Sequence, residues 1–154
     1  MKRIVEHSVV RHRGAVLVEM VLVTPILLFI MLATAEVTRI FVDHNTLTKA
    51  VRNGARYVAA NAYQGTTGLV VVGAGLRAET QNLVVYGNIA GTGTPVLAGL
   101  TPVDVIVTDI GADNVEVSAD YAIGGMLGPV LRNFFGPDIN LVHNLQATVA
   151  MRAL

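Results

Sequence analysis

A single carboxylate, Glu19, stands inside the run Ala15 to Ala35, whose other twenty residues carry no charge. An acid at the centre of a membrane helix costs about 2.5–3.5 kcal/mol on insertion scales, so such a residue is a functional candidate by default. The chemistry open to it is ion pairing. Just before it the chain reads Arg11-His12-Arg13-Gly14 and then four apolar residues. A basic head, a glycine, an apolar tetrad and a lone acid form one junction.

Other residues with chemical potential carry weaker patterns. Leu69-Val70-Val71-Val72-Gly73-Ala74-Gly75-Leu76-Arg77-Ala78 imitates a dinucleotide fingerprint. That fingerprint needs an acid about 20 residues on to hold the ribose, and no Asp or Glu falls between Glu79 and Asp104. It reads as a glycine turn between elements. Asp104, Asp109, Asp113, Glu116 and Asp120 lack the alternation and terminal glutamate of a calcium loop, and read as solvated strand and turn positions. His7, His12, His44 and His143 share no ligand spacing, and His44 is expected to pack on a helix stripe. There is no cysteine, no G-x-S-x-G and no Walker lysine. An enzyme is therefore unsupported, and no metal or cofactor is implied. Zero net charge gives no reason to expect a nucleic-acid partner.

The elements that hold the junction follow from charge and hydropathy. Charged residues are 14% of the 154, against about 25% in an average domain. Mean hydropathy is +0.57, more apolar than a core needs. Residues 1–14 carry a net +3, residues 36–62 a net +2 and residues 63–154 a net −4. The 21 residues from Ala15 to Ala35 reach about 31 Å as a helix, enough to span a hydrocarbon core. Arg11 and Arg13 on the amino side place that end in the cytoplasm and the rest outside. A buried core helix would not need so long a run with basic flanks.

Beyond the span, Val37, Ile40, Phe41, His44, Leu47, Val51, Ala55 and Val58 recur at steps of three and four, with Arg39, Asp43, Arg52 and Arg56 off that stripe. Arg39 and Asp43 make a weak supporting pair. One helix from about 15 to 62 is expected: an anchor, then an amphipathic spine. Further on, Leu76 to Tyr86 reads as a short helix running into a strand, and 87–102, with four glycines and two prolines, as a loop. Residues 103–108 and 115–121 alternate as half-buried strands, with a turn at Asp113-Asn114 making a hairpin. Residues 139–151 read as a final long strand. The fold class expected is α+β: a long amino-terminal helix with a small antiparallel sheet packed on it.

The junction resembles the prepilin-peptidase motif of type IV pilin-like proteins. The continuation Asn45-Thr46-Leu47 through Arg52-Asn53-Gly54-Ala55-Arg56-Tyr57 looks like the TadE family of pseudopilins of the tight-adherence (type IVb) pilus system. Ala147-Thr148-Val149-Ala150-Met151-Arg152 is similar to the end of such proteins, while Met20 stands where an aromatic residue is common in the family. The resemblance implies cleavage between Gly14 and Ala15 by a prepilin peptidase, with methylation of the new terminus. Glu19 would then be the fifth residue of the mature chain, and the mature length favours a minor pseudopilin. It implies four segments: a leader 1–14, a transmembrane helix 15–36, its amphipathic continuation 37–62 and a periplasmic α+β domain 63–154. The implied partners are the peptidase, other pilins and pseudopilins, the inner membrane and the pilus assembly platform.

Two readings compete. Ala33-Thr34-Ala35 is an A-x-A site, but the apolar run before it exceeds an ordinary signal's about 7–15 residues and contains Glu19. The chain also fits a single-pass inner-membrane protein whose periplasmic domain binds some partner. Finally, Ile123, Met126, Leu127, Val130, Leu131, Phe134 and Phe135 recur at helical spacing, broken by Gly124, Gly125, Gly128 and Pro129. They form either a loop-helix that closes the core or an apolar docking surface.

Overall fold

The computed structural model describes residues 10–63, 69–126, 128, 130–131, 137–140 and 142–154. The chain divides after Thr38 into two units. Helix α1, Val10–Asn61, supplies the first and opens the second.

Among the described residues of the first unit the threonine hydroxyls are absorbed locally: Thr24 Oγ1 donates to the Met20 carbonyl at 2.7 Å, Thr34 Oγ1 to Ile30 at 2.8 Å and Thr38 Oγ1 to Thr34 at 2.8 Å. Such back-bonding leaves the outside of a helix apolar. Pro25 lies inside α1. It has no N–H to give the Val21 carbonyl, a loss that membrane helices tolerate.

In the second unit α1 packs through Leu47, Val51, Ala55 and Val58, each 0% exposed. The rest of its buried face is small: Ala50, Gly54 and Ala59, followed by buried Ala62 just past its end. The stripe begins later than its periodicity suggested. Val37 and Phe41 are each 67% exposed and His44 is exposed too, because the core those steps would face begins only at Leu47, with Ile40 packed at its margin.

Helix α2, Ala74–Tyr86, is helical to its end at Gly87, whose φ of 72° closes it. The expected passage into a strand does not occur, since Thr80, Val84 and Val85 are all buried from one helical face. Three strands form an antiparallel sheet in the order β1-β2-β5: β1 is Val105–Gly111, β2 Asn114–Ile123 and β5 His143–Arg152. Its inner face includes Val105, Val107, Val115, Val117, Ala119, Tyr121 and Ala147, which join the α1 and α2 residues in one core. The α+β reading therefore holds.

The boundaries move for local reasons. Pro102–Asp104 is a 3-10 turn in which Asp104 accepts from Thr101 N at 2.9 Å and Thr101 Oγ1 at 2.6 Å, so the first strand starts two residues later than expected. The hairpin turn is Ala112-Asp113, with φ of 51° and 60°, one residue before the expected pair. Two left-handed residues match the right-handed strand twist, and Gly111 pairs directly with Asn114. The expected last strand from 139 is two pieces: β4, Ile139–Asn140, pairs with β3, Val130–Leu131, and β5 begins at His143. Two distant segments close the helix end: Leu154 N donates to the Ala59 carbonyl at 3.0 Å and Val71 N to Ala62 at 2.9 Å. Both carbonyls lie in or just past the last turn of α1, where intrahelical donors run out.

Gly54 marks the crossing of α1 and α2. A methyl carbon placed there would lie 2.5 Å from Val84 Cγ2 and 3.4 Å from Thr80 Cγ2. Overpacking costs about 1–3 kcal/mol, against about 1 kcal/mol that alanine regains in helix propensity. Gly54→Val, larger and β-branched, is expected to lower the Tm of the domain by several degrees. Combining Gly54→Ala with Val84→Ala should be less harmful than the sum of the two single changes, read as a double-mutant cycle by thermal denaturation. Additivity would show that the helices do not meet at this point.

Candidate functional site

The candidate site is the first unit. Gly14 and Ala15 are both helical and exposed, and the space around Gly14 is open. Arg11 and Arg13 are the second and fourth residues of α1. From Val16 to Leu32 every large apolar side chain is exposed, Leu17 at 68%, Val21 and Met31 at 71%. An apolar face on all sides of a helix suits a hydrocarbon surrounding. Residues 14–61 form a helix long and apolar enough to cross a membrane, with none of its most apolar window buried within the protein. Glu19 is exposed on it, and among the described residues it forms no ion pair.

Where α1 begins the second unit, a polar cluster holds it. Arg39 Nε lies 3.9 Å from Asp43 Oδ2, the expected pair one turn apart. Arg39 Nη1 also donates to the Gly124 carbonyl at 3.2 Å, just past the end of β2. Tyr121 donates to the Ala98 carbonyl at 2.9 Å. Its phenol is held above the ordinary tyrosine range, by burial first and by the charge of Asp43 second, with Arg39 opposing. Sequence spacing offered no sign that Gly124 or Tyr121, far along the chain at the end of β2, would meet this part of α1. Farther along α1, Tyr57 donates to Glu79 Oε2 of α2 at 2.7 Å. That bond, then burial and the carboxylate charge, raises the Tyr57 pKa.

The remaining candidates disperse. Gly73 caps α2, so the glycine pattern after Val72 is a turn into a helix. Asp109 Oδ1 accepts from Gly111 N at 2.8 Å and Asp113 lies 3.9 Å from Arg152, each serving the hairpin. Among the described residues no group of acids and histidines is arranged to hold a metal. Of the expected docking surface, Met126 is 58% exposed. Leu127, Phe134 and Phe135 lie outside the described residues. Leu131 belongs to strand β3 and not to a helix. Beside it Gly128 takes φ of 104°, a conformation that glycine reaches readily and a helix does not use.

An exposed apolar helix leading into a helix-backed antiparallel sheet defines the class: an α+β domain carried on a membrane-compatible helix. Residues 14–56 match the family described as TadE-like protein, which is consistent with a TadE-like protein of the Tad pilus system. The match covers the exposed helix and the part of α1 that enters the domain, and stops before α2 and the sheet. No curated protein and no solved structure matches the chain.

Proposed function

We propose that this chain is a minor pseudopilin of a Tad/Flp-type (type IVb) pilus, anchored in the inner membrane by residues 15–36 with its amino end cytoplasmic. Residues 1–14 are its leader, 37–62 the amphipathic continuation of the helix and 63–154 the periplasmic domain. A prepilin peptidase removes the leader between Gly14 and Ala15, and the mature subunit joins other pilins and pseudopilins at the assembly platform. The observation that carries this reading is the family match, which begins at Gly14 and runs along the exposed apolar helix containing Glu19. The positive-inside bias of Arg11 and Arg13 supports the orientation.

Intact-mass measurement on the protein purified from its own membrane tests it. The expected mass is that of a chain starting at Ala15, with or without a methyl group. Gly14→Val should leave the leader attached and the protein in the membrane fraction, because a β-branched side chain replaces the residue that lets an extended backbone enter a protease cleft. A full-length mass for the unaltered protein would instead favour an uncleaved single-pass protein with a partner-binding domain. Normal processing of the valine variant would remove Gly14 from the cleavage site.

A further inference from the structure

Two faces of the second unit carry opposite charge, and neither serves its core. Lys49, Arg52 and Arg56 fall at steps of three and four along α1, all exposed. At 100° per residue they lie on the side opposite Leu47, Val51, Ala55 and Val58, with the outer two about 10 Å apart along the axis. Among the described residues none of the three forms an ion pair; the pairs present use Arg39 and Arg152. Glu79 of the neighbouring α2 accepts from the Tyr57 hydroxyl instead.

The outer face of the sheet is the other surface. Along β2 the buried residues alternate with Glu116, Ser118 and Asp120, which point away from the core. Glu116 is opposed by Thr108 and Ala150, and Asp120 by Gln146, so no cation faces either acid in register. Arg152, diagonal to Glu116 on that face, lies 3.9 Å from Asp113. The two acids are about 14 Å apart along the strand, a span that the long side chains of Lys49 and Arg56 can cover. Lying on opposite sides of one core, the basic and acidic faces cannot neutralise each other within a single copy.

We propose that a second copy of this chain lays its basic helix face, Lys49, Arg52 and Arg56, on the outer sheet face carrying Glu116 and Asp120. The two surfaces differ, so the contact is head-to-tail. Each added copy leaves one face of each sign free, and the arrangement extends as an open row and not as a closed dimer. Charge here selects which face meets which, and the contact weakens with salt. An anionic lipid surface would engage the basic face alone and leave the acidic one without a role. The inference goes beyond the pilus reading and does not rest on it.

The chain has no cysteine, which makes disulfide trapping clean. Full-length chains carrying Arg56→Cys and Glu116→Cys, with different tags, are co-expressed in membranes and oxidised with copper phenanthroline. The expected product is the mixed disulfide, several-fold above either self-pair and reduced by high salt. Adding Lys49→Glu and Arg52→Glu to the first chain should reduce it several-fold, and adding Asp120→Lys to the second should recover most of it. Self-pairs equal to the mixed product, a mixed product indifferent to charge reversal, or no mixed product would each overturn the proposal.

Discussion

Val51→Asp is expected to destabilise the domain strongly at neutral pH. Val51 is 0% exposed, on the α1 face that joins the sheet and α2 in one core. The change forfeits the burial of a valine side chain, about 1.5–3 kcal/mol, and places a carboxylate where no cation is at hand. The combined loss is at least about 4 kcal/mol, against a typical domain stability of about 5–15 kcal/mol. The pH dependence has a definite sign. Burial raises the folded-state pKa of the new acid above its unfolded value, so the penalty is absent where both states are protonated and grows as pH rises. The deficit relative to the unaltered protein should therefore be smaller near pH 4 than at pH 7. Asn53→Asp, on the exposed side of the same helix turn, should change stability by less than about 0.5 kcal/mol. Protease resistance and thermal denaturation read both variants. Equal resistance would mean that this face of α1 does not carry the domain.

The same helix shows what a linear pattern reveals and where it stops. Leu47, Val51, Ala55 and Val58 were legible because large or aliphatic residues at steps of three and four signal a buried face by themselves. Ala50, Gly54 and Ala62 are buried too but were not legible, because small residues carry little hydropathy; at Gly54 it is the close approach of α2 that requires the small residue. Periodicity also ran past its end: Val37 and Phe41 continue the spacing, yet both stand 67% exposed. A period reports a face and says nothing about where its partner begins. The alternation of β2 gave the sheet and its inner side. The turn slipped by one residue because Ala112 adopts a left-handed conformation that alanine does not announce, while Asp113, a turn former, was already expected there. The bond from Arg39 to Gly124, 85 residues apart, had no local signal at all. Glu19, in contrast, was legible from composition alone, since a single acid in an apolar run needs no tertiary context to be conspicuous.

Glu19→Gln is expected to leave cleavage after Gly14 largely intact while sharply reducing incorporation with partner pilins. In the proposed mature chain the new amine sits on Ala15, four residues before Glu19, about 6 Å along the helix axis. Pairing within one helix is poor, because the carboxylate projects sideways while the amine sits at the end. Between helices it improves: the amine of one subunit can meet Glu19 of a neighbour and fix the axial register of the two. Opposite charges about 4 Å apart attract by ~1 kcal/mol in water and several-fold more at a lower effective dielectric. The carboxylate left without that amine carries its desolvation cost alone, which disfavours every misregistered arrangement. Glutamine keeps the shape and hydrogen-bonding capacity but removes the charge, so it separates pairing from packing. Glu19→Asp keeps the charge with a shorter reach and should assemble to an intermediate extent. The measurement is co-purification with partner pilins, or fibre counts, beside the amino-terminal mass of each variant. A glutamine variant that is fully cleaved and assembles at the unaltered level would leave Glu19 without a registering role. A variant that is not cleaved would place Glu19 in peptidase recognition instead, so the two readouts together decide which step the carboxylate serves.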